Sequence, residues 1–350
     1  FVRMTSHYLA IDLGAESGRV MLGTLESGCI SLKELSRFSN KPKREGDNIY
    51  WNIPALVKGI RDGLVKAGAL GQPITSVSAD AWGVDYVLID NNGEIMEPVF
   101  HYRHPRTVNG EKKALTKVDW PTLFDETGVQ YMLLNTSIQL CAEGSERLDM
   151  AKTILTIADA FNYLLSGVAK IEVSMASTTQ LYNPRLNCWS DRLIKDLGLP
   201  RSMFPEVVTS ATTLGPLKSD FLECSGLNNI NVVSSLSHDT ACAVAACPAD
   251  SKRWAYISSG TWSLIGLELS EPILTDDCRD LNFTNEIGYG NSTRLLKNII
   301  GLWLVQECRR SWAKQGNEYS YDQLTEMAIN SKPYQSVLNP LDPSFIAPDL

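Results

Sequence analysis

Four short segments of this 350-residue sequence carry residue types that can do chemistry. Asp12 ends an apolar run and is followed by Gly14-Ala15-Glu16-Ser17-Gly18-Arg19, a polar turn rich in backbone N–H groups. Its glycine spacing is not that of the dinucleotide fingerprint, and no Gly-Lys-Ser/Thr follows to make a Walker loop. Far down the chain, Ser258-Ser259-Gly260-Thr261-Trp262-Ser263 repeats the scheme of strand, small polar glycine turn, strand. Either turn alone reads as an ordinary hairpin, which uses glycine for positive φ. The two together read as a clamp for a polyphosphate made of backbone N–H groups and hydroxyls, one turn from each copy of a duplicated domain on a common cleft. Asp12 would then hold Mg²⁺ through water. The other reading of Asp12 is a strand-end carboxylate bonded to turn amides.

Ser237-His238-Asp239-Thr240 opens an Ala-rich segment, Ala241 to Cys247. Asp239 suits two jobs there: capping a helix, or acting as the general base that takes a proton from an attacking hydroxyl. A cap lowers a carboxylate pKa and weakens a base. Phosphoryl transfer tolerates that, because positioning matters more than basicity in its loose transition state. His238 is either a second catalytic group or a neutral packing and hydrogen-bonding residue. At a third strand end, Trp82-Gly83 offers an indole face for sugar C–H groups and a glycine that lets the backbone approach a ligand. Asp80 and Asp85 are placed to accept sugar hydroxyls, and core packing is the plain alternative for Trp82.

The elements that must position these residues follow from periodicity. Tyr8 to Leu13, Val20 to Leu25 and Ile30 to Phe38, with a tight turn at Ser27-Gly28, predict a three-strand meander. A helix follows, with Asn52 as its cap, Pro54 in its first turn, and Ile53, Leu56, Val57, Ile60 and Leu64 on one face. Ile74 to Asp80 reads as a buried strand, and Tyr86 to Asp90 as a strand that turns at Asn91-Asn92-Gly93 into a hairpin. Residues from Asn109 to Leu165 read mainly as helices, and Asn229 to Ser235 as another strand. Antiparallel strands, then a helix, then more strands do not make a doubly wound dinucleotide fold. Two domains are expected for this length, residues 7–248 and 253–350, hinged at Pro248-Ala249-Asp250-Ser251.

Composition narrows the partners. Thirty-two Lys plus Arg against 40 Asp plus Glu give a net charge of −8, which repels a phosphate backbone, so nucleic acid is not expected. The longest apolar stretch, Ile299 to Val305, is far below the roughly 20 residues of a membrane helix, and no membrane partner is expected. The eight cysteines show no metal-ligand spacing and read as isolated thiols in a reducing cytoplasm, although an even number can also pair in an oxidising compartment. Monomer and homodimer are both compatible with the sequence.

Taken in order, Asp12 to Arg19, Asp80-Ala81-Trp82-Gly83-Val84-Asp85, Ser237 to Thr240 and Ser258 to Ser263 resemble the motifs of the FGGY carbohydrate kinases. Ser17-Gly18-Arg19-Val20-Met21-Leu22 and the run Leu296 to Gln306 resemble the branch of that family that acts on L-rhamnulose, and the similarity extends from His7 to about Trp312. The resemblance implies an actin-like, RNase H-like α/β fold of two duplicated domains and phosphorylation of L-rhamnulose at its 1-hydroxyl by ATP with Mg²⁺. It also implies nucleotide-phosphate contacts from Ala15, Glu16, Ser17, Gly18 and Arg19, with Thr261, Asn298 and Gln306 on the nucleotide side. The sugar side falls to Trp82, Gly83, Asp80, His238, Asp239 and Thr240, with Asp239 as proton acceptor.

Three departures bear on these expectations. Family members usually carry Tyr-Arg-Asp before Arg-Thr, whereas this chain has Tyr102-Arg103-His104-Pro105-Arg106-Thr107, which bears on substrate choice. Glu16 adds a negative charge beside the phosphates that Arg19 or a metal would offset. No Gly-Gly-Gly adenine-binding turn follows Trp254, so the second domain reads as cut short. The alternatives are another ketose or polyol kinase of the family, an actin-like or heat-shock-type ATPase module, or a relic that binds sugar without phosphorylating it.

Overall fold

Alternation along β1 (Thr5–Leu13) sets the first sheet: His7, Leu9, Ile11 and Leu13 are buried while Tyr8 and Ala10 face outward. The structure, a computed structural model, describes residues 5–251 and 253–345, so positions 346–350 of the expected second domain lie outside the described residues. β2 (Ser17–Glu26) and β3 (Cys29–Ser39) continue antiparallel, completing the predicted meander. Ser27 and Gly28 join them at φ 53° and 80°, the left-handed pair that matches strand twist in a two-residue hairpin.

α1 (Ile53–Gly68) forms where the pattern predicts, with the Asn52 side chain accepting from the Ala55 N–H and Pro54 in the first turn. Its buried stripe includes Ile53, Leu56, Ile60 and Leu64, worth about 1.5–3 kcal/mol for each large side chain. Two glycines set how closely it packs. A Cβ on Gly59 would lie 2.4 Å from Phe38, and one on Gly63 2.4 Å from Val20, so the helix backbone rests against β2 and β3.

After α1 the chain returns as Ile74–Ala81, parallel to β1. Asn231–Ser234 pairs parallel to that strand, and Thr212–Pro216 closes the edge antiparallel, giving six strands. The pairing puts Asp12 beside Asp80, and a bridge between Ala81 and His238 carries the sheet into the Ser237–Thr240 segment. The ends of three neighbouring strands thus deliver three of the sequence motifs to one place.

One expectation needs correction. Tyr86–Ile89 is not chiefly one arm of a local hairpin: it pairs antiparallel with Thr153–Thr156, and the return after Gly93 makes a single bridge, Ile89 to Ile95. Between Asn109 and Leu165 the chain is mainly helical, as expected, with the helices Thr107–Lys117, Trp120–Thr127, Thr136–Cys141, Ser145–Met150 and Ile157–Ser166 and the short strand Thr153–Thr156 among them. A four-residue apolar strand has too little length to separate period two from a helical turn.

By contacts, the described residues up to Pro248 group with Glu268–Leu295, and Ala249–Leu267 groups with the described residues from Leu296 onward. In the latter unit, Ala255–Ser259 pairs antiparallel with Ser263 to Leu267, and the helices Trp303–Lys314 and Tyr321–Ile329 follow, the second opened by a Ser320/Gln323 capping box. All eight cysteines are free thiols. No helix among the described residues is long and apolar enough to cross a membrane.

Candidate active site

Three carboxylates meet at the strand ends of the first unit. Asp12 forms an ion pair with Arg19 across the β1–β2 hairpin, and Glu16 stands exposed at the tip. Asp80 takes no hydrogen bond or ion pair among the described residues. Burial pushes its pKa well above the ordinary range, the negative charges of Asp12 and Asp239 push it further, and Arg19 opposes them.

Asp239 differs from its expected role as a cap. The N-cap of helix Asp239–Ala245 is His238, whose side chain makes no capping bond, and Asp239 occupies the first turn, with its Oδ1 accepting from the Thr240 N–H and hydroxyl. The direction of its pKa is also opposite to that of a cap. Its side chain keeps 35% of its surface open, yet protein crowds the remainder, and burial raises the pKa against the lowering effects of His238 and the Thr240 N–H. A carboxylate raised in this way is a better base.

His238 is buried beside it, with Nε2 3.4 Å from Asp239 Oδ1. Its Nδ1 lies 2.9 Å from Arg294 Nη2 and 3.4 Å from Glu286 Oε2. The segment is anchored from behind. Ser237 N–H donates to Glu172 Oε2 at 3.1 Å, its hydroxyl donates to Asp159 at 3.1 Å, and His238 N–H donates to the Ser174 hydroxyl at 3.1 Å. Asp159 and Glu172 are buried with raised pKa values, Asp159 to about 8, chiefly through burial.

Gly83 stands opposite the imidazole. A Cβ there would sit 3.3 Å from His238 Nε2 and 3.4 Å from Thr178, so the glycine keeps this space open. The next residue, Val84, has φ 67°, a strained conformation for a β-branched side chain, held in part by a bond from its N–H to the Thr178 hydroxyl. Trp82 is buried at 6% exposure, packs against Trp51 and donates its indole N–H to Asp85 at 2.9 Å. Asp85 is itself buried under donors from Trp51 and Gln139, with its pKa pushed up to about 6 by burial. Both residues therefore support the Gly83 loop from below and are not open to a sugar, because an indole and a carboxylate that satisfy each other stay in the core.

The first turn closes with Gly14 N–H donating to Ser17 O at 2.9 Å, and Asn40 Nδ2 bonds Gly14 O at the same distance. Neither Gly14 nor Gly18 has positive φ, contrary to the hairpin expectation. Gly18 is required for space, since a Cβ there would lie 2.3 Å from Phe38. In the second unit, Gly260 N–H donates to Trp262 O at 2.9 Å, and Gln306 Nε2 donates to the Thr261 hydroxyl at 3.2 Å, bringing together two of the expected nucleotide residues. Asn298 lies on the adjoining strand Thr293–Ile300. Gly301 backs the turn, and a Cβ there would meet Gly260 O at 2.7 Å.

The sequence reading missed Glu286, Arg294, Glu172, Asp159 and Thr178. Arg294, in the strand Thr293–Ile300, proves fully buried, but that strand also carries Lys297 and Asn298, so its charge did not stand out. His104 accepts the Arg106 N–H on its Nδ1 at 3.1 Å, and burial lowers its pKa so that the ring stays neutral.

Comparison with known proteins gives the family. Residues 7–246 match the N-terminal domain of the FGGY family of carbohydrate kinases, and residues 255–350 match its C-terminal domain. A rhamnulokinase of Bacteroides thetaiotaomicron is 37% identical over 99% of this chain and 71% of its own length, and one of Bacillus subtilis is 37% identical over 98% and 70%. Among solved structures, a ligand-bound xylulose kinase from Lactobacillus acidophilus superposes with a TM-score of 0.75 at 11% identity, covering 93% of this chain and 66% of that one. A Plasmodium falciparum glycerol kinase with ADP gives 0.72 at 14% identity, over 87% and 64%. The chain thus spans about 70% of its curated relatives and just under two thirds of these solved kinases. It belongs to the FGGY family of carbohydrate kinases and has that family's two-domain, actin-like ATPase fold.

Proposed function

We propose that this chain transfers the γ-phosphoryl group of ATP to the 1-hydroxyl of L-rhamnulose. The observation that carries the reading is Asp239, a carboxylate with raised proton affinity and an open face, set beside His238 and the space over Gly83. In this reading Gly83, His238 and Thr240 hold the sugar, and Asp239 takes the proton of the attacking hydroxyl as the new O–P bond forms and the bond to the β-phosphate oxygen breaks, releasing ADP. The N–H-rich turn at Ala15, Glu16, Ser17, Gly18 and Arg19 receives phosphate oxygens, and Thr261, Asn298 and Gln306 serve the nucleotide from the second unit.

Magnesium fits the donor set around Asp12. The carboxylates of Asp12 and Asp80, side by side on neighbouring strands, supply hard oxygens. Among the described residues no three His, Cys, Asp or Glu side chains converge closely enough to ligate a metal directly. In this reading Asp12 holds the ion through water. When bound, the ion supplies neutralisation of the phosphate oxygens.

ADP release measured with L-rhamnulose, L-fuculose, D-xylulose and glycerol tests the reading. The highest kcat/KM is expected for L-rhamnulose, with the 1-phosphate as product. A different preferred sugar would move the chain to another ketose or polyol kinase, and binding of a sugar without turnover would make it a non-catalytic binder.

A further inference from the structure

We propose that Arg294 is a positioning residue that holds His238 as its Nε2–H tautomer, so that the imidazole donates to the reacting sugar hydroxyl and leaves Asp239 as the only acceptor for that hydroxyl's proton. The inference rests on the kinase reading for its consequence and on geometry alone for its cause.

Arginine has donors and no acceptor, and it does not lose its charge in proteins. Arg294 is fully buried, and its Nη2 lies 2.9 Å from His238 Nδ1, 3.0 Å from Glu286 Oε2 and 3.5 Å from Ile287 O. Two N–H groups cannot face each other at 2.9 Å, so Nδ1 presents its lone pair and the ring proton resides on Nε2. Glu286 is the competing partner. It lies 3.4 Å from Nδ1, and without the guanidinium it would draw the proton to that side. It is buried, yet the Arg294 guanidinium beside it holds its carboxyl below the usual range.

The other side of the ring faces the reaction. Nε2 is 3.4 Å from Asp239 Oδ1 and 3.3 Å from the point a Cβ on Gly83 would occupy, so its N–H points into the space kept open by that glycine. A hydroxyl seated there accepts from Nε2–H with one lone pair and turns its own proton toward Asp239. With the opposite tautomer, Nε2 becomes a second acceptor and competes with Asp239 for the same proton. Arg294 Nε and Nη1 have no partner among the described residues, so the buried guanidinium is poorly satisfied for a purely structural role.

Imidazole ¹⁵N spectroscopy on the full chain tests the cause without any substrate. The chain has four histidines, so a His238→Asn variant assigns the signal. The wild type is expected to show His238 protonated at Nε2 only. In Arg294→Met the proton is expected to shift to Nδ1, the sugar KM to rise by about 10-fold or more, and the ATP KM to stay within about twofold. Arg294→Lys, which still donates, should restore the tautomer and most of the sugar KM. Should Arg294→Met fail to fold around the bare Glu286, the double variant Arg294→Met/Glu286→Leu removes both charges and should give a mixed tautomer with a raised sugar KM. A wild-type ring protonated at Nδ1, or an Arg294→Met variant with unchanged spectrum and sugar KM, would overturn the proposal. A wild type that shows the Nε2–H tautomer yet phosphorylates no sugar would instead overturn the kinase reading.

Discussion

Each unit closes its glycine turn with a glycine N–H on a downstream carbonyl, at different spacings: Gly14 N–H bonds Ser17 O three positions on, and Gly260 N–H bonds Trp262 O two positions on, both at 2.9 Å. What stands behind each turn differs. The first is backed by charge: Asp12 paired with Arg19, with Asp80 and Asp239 alongside. The second is backed by neutral groups, the Gln306 amide on the Thr261 hydroxyl, with Gly301 N–H and Trp303 N–H both on Thr261 O. A shared backbone device therefore does not fix a shared job. Charge at the first turn suits a cation and the reacting phosphate, whereas neutral hydrogen bonds at the second suit holding the nucleotide.

Paired substitutions can break that comparison. Asp12→Ala removes the charge behind the first turn and should lower kcat/KM for ATP by about 10²-fold and raise the Mg²⁺ concentration needed for half-maximal rate. Thr261→Val removes one neutral hydrogen bond and should cost about 10-fold at most, in the KM for ATP more than for sugar, with no change in Mg²⁺ demand. Steady-state titrations of ATP, sugar and Mg²⁺ read both. Equal Mg²⁺ responses would erase the distinction between the turns.

Packing behind the turns gives the next test. A Cβ on Gly18 meets side chains, the Phe38 ring at 2.3 Å and Leu13 Cδ2 at 3.0 Å, whereas one on Gly301 meets the Gly260 carbonyl at 2.7 Å and the Ser263 N–H at 2.8 Å, which are backbone and give less. Gly301→Ala should therefore distort its turn and raise the KM for ATP, and Gly18→Ala should be the milder change, each within about 1–3 kcal/mol of stability. Urea unfolding and ATP titration of the two variants decide it, and the reverse ranking would contradict the packing argument.

The smallest effect concerns the support behind Ser237. Asp159, with its pKa pushed to about 8, keeps its proton in the folded chain where the unfolded chain has lost it. Unfolding then releases a proton, so this residue makes stability fall as pH rises from about 4 to about 8. Asp159→Asn should flatten that slope in urea midpoints taken from pH 5 to 8, and an unchanged slope would assign the dependence to other groups.

The parts legible in the sequence were those whose meaning is local. The two turns, the Asn52 cap and the apolar face of α1 are set by neighbours a few residues away. Glu172 reaches Ser237 from 65 positions away and Arg294 reaches His238 from 56, with Glu286 held in turn by Arg294, through distant elements that no local pattern encodes. The sign of the Asp239 shift was misread for the same reason. A helix-terminal position argues for a lowered pKa, but burial by distant elements decides it. Trp82 looked open to a ligand because Trp51 and Asp85, which cover it, were not seen as its partners.

The most direct test of the account is Asp239→Asn, measured by ADP release with L-rhamnulose and ATP. Asn keeps an oxygen to accept the Thr240 N–H but cannot take the hydroxyl's proton, so an intact fold, an ordinary KM for ATP and a kcat lowered by about 10²-fold or more are expected. Turnover within a few-fold of wild type would contradict the account and leave Asp239 as a residue that only orders the first turn of its helix.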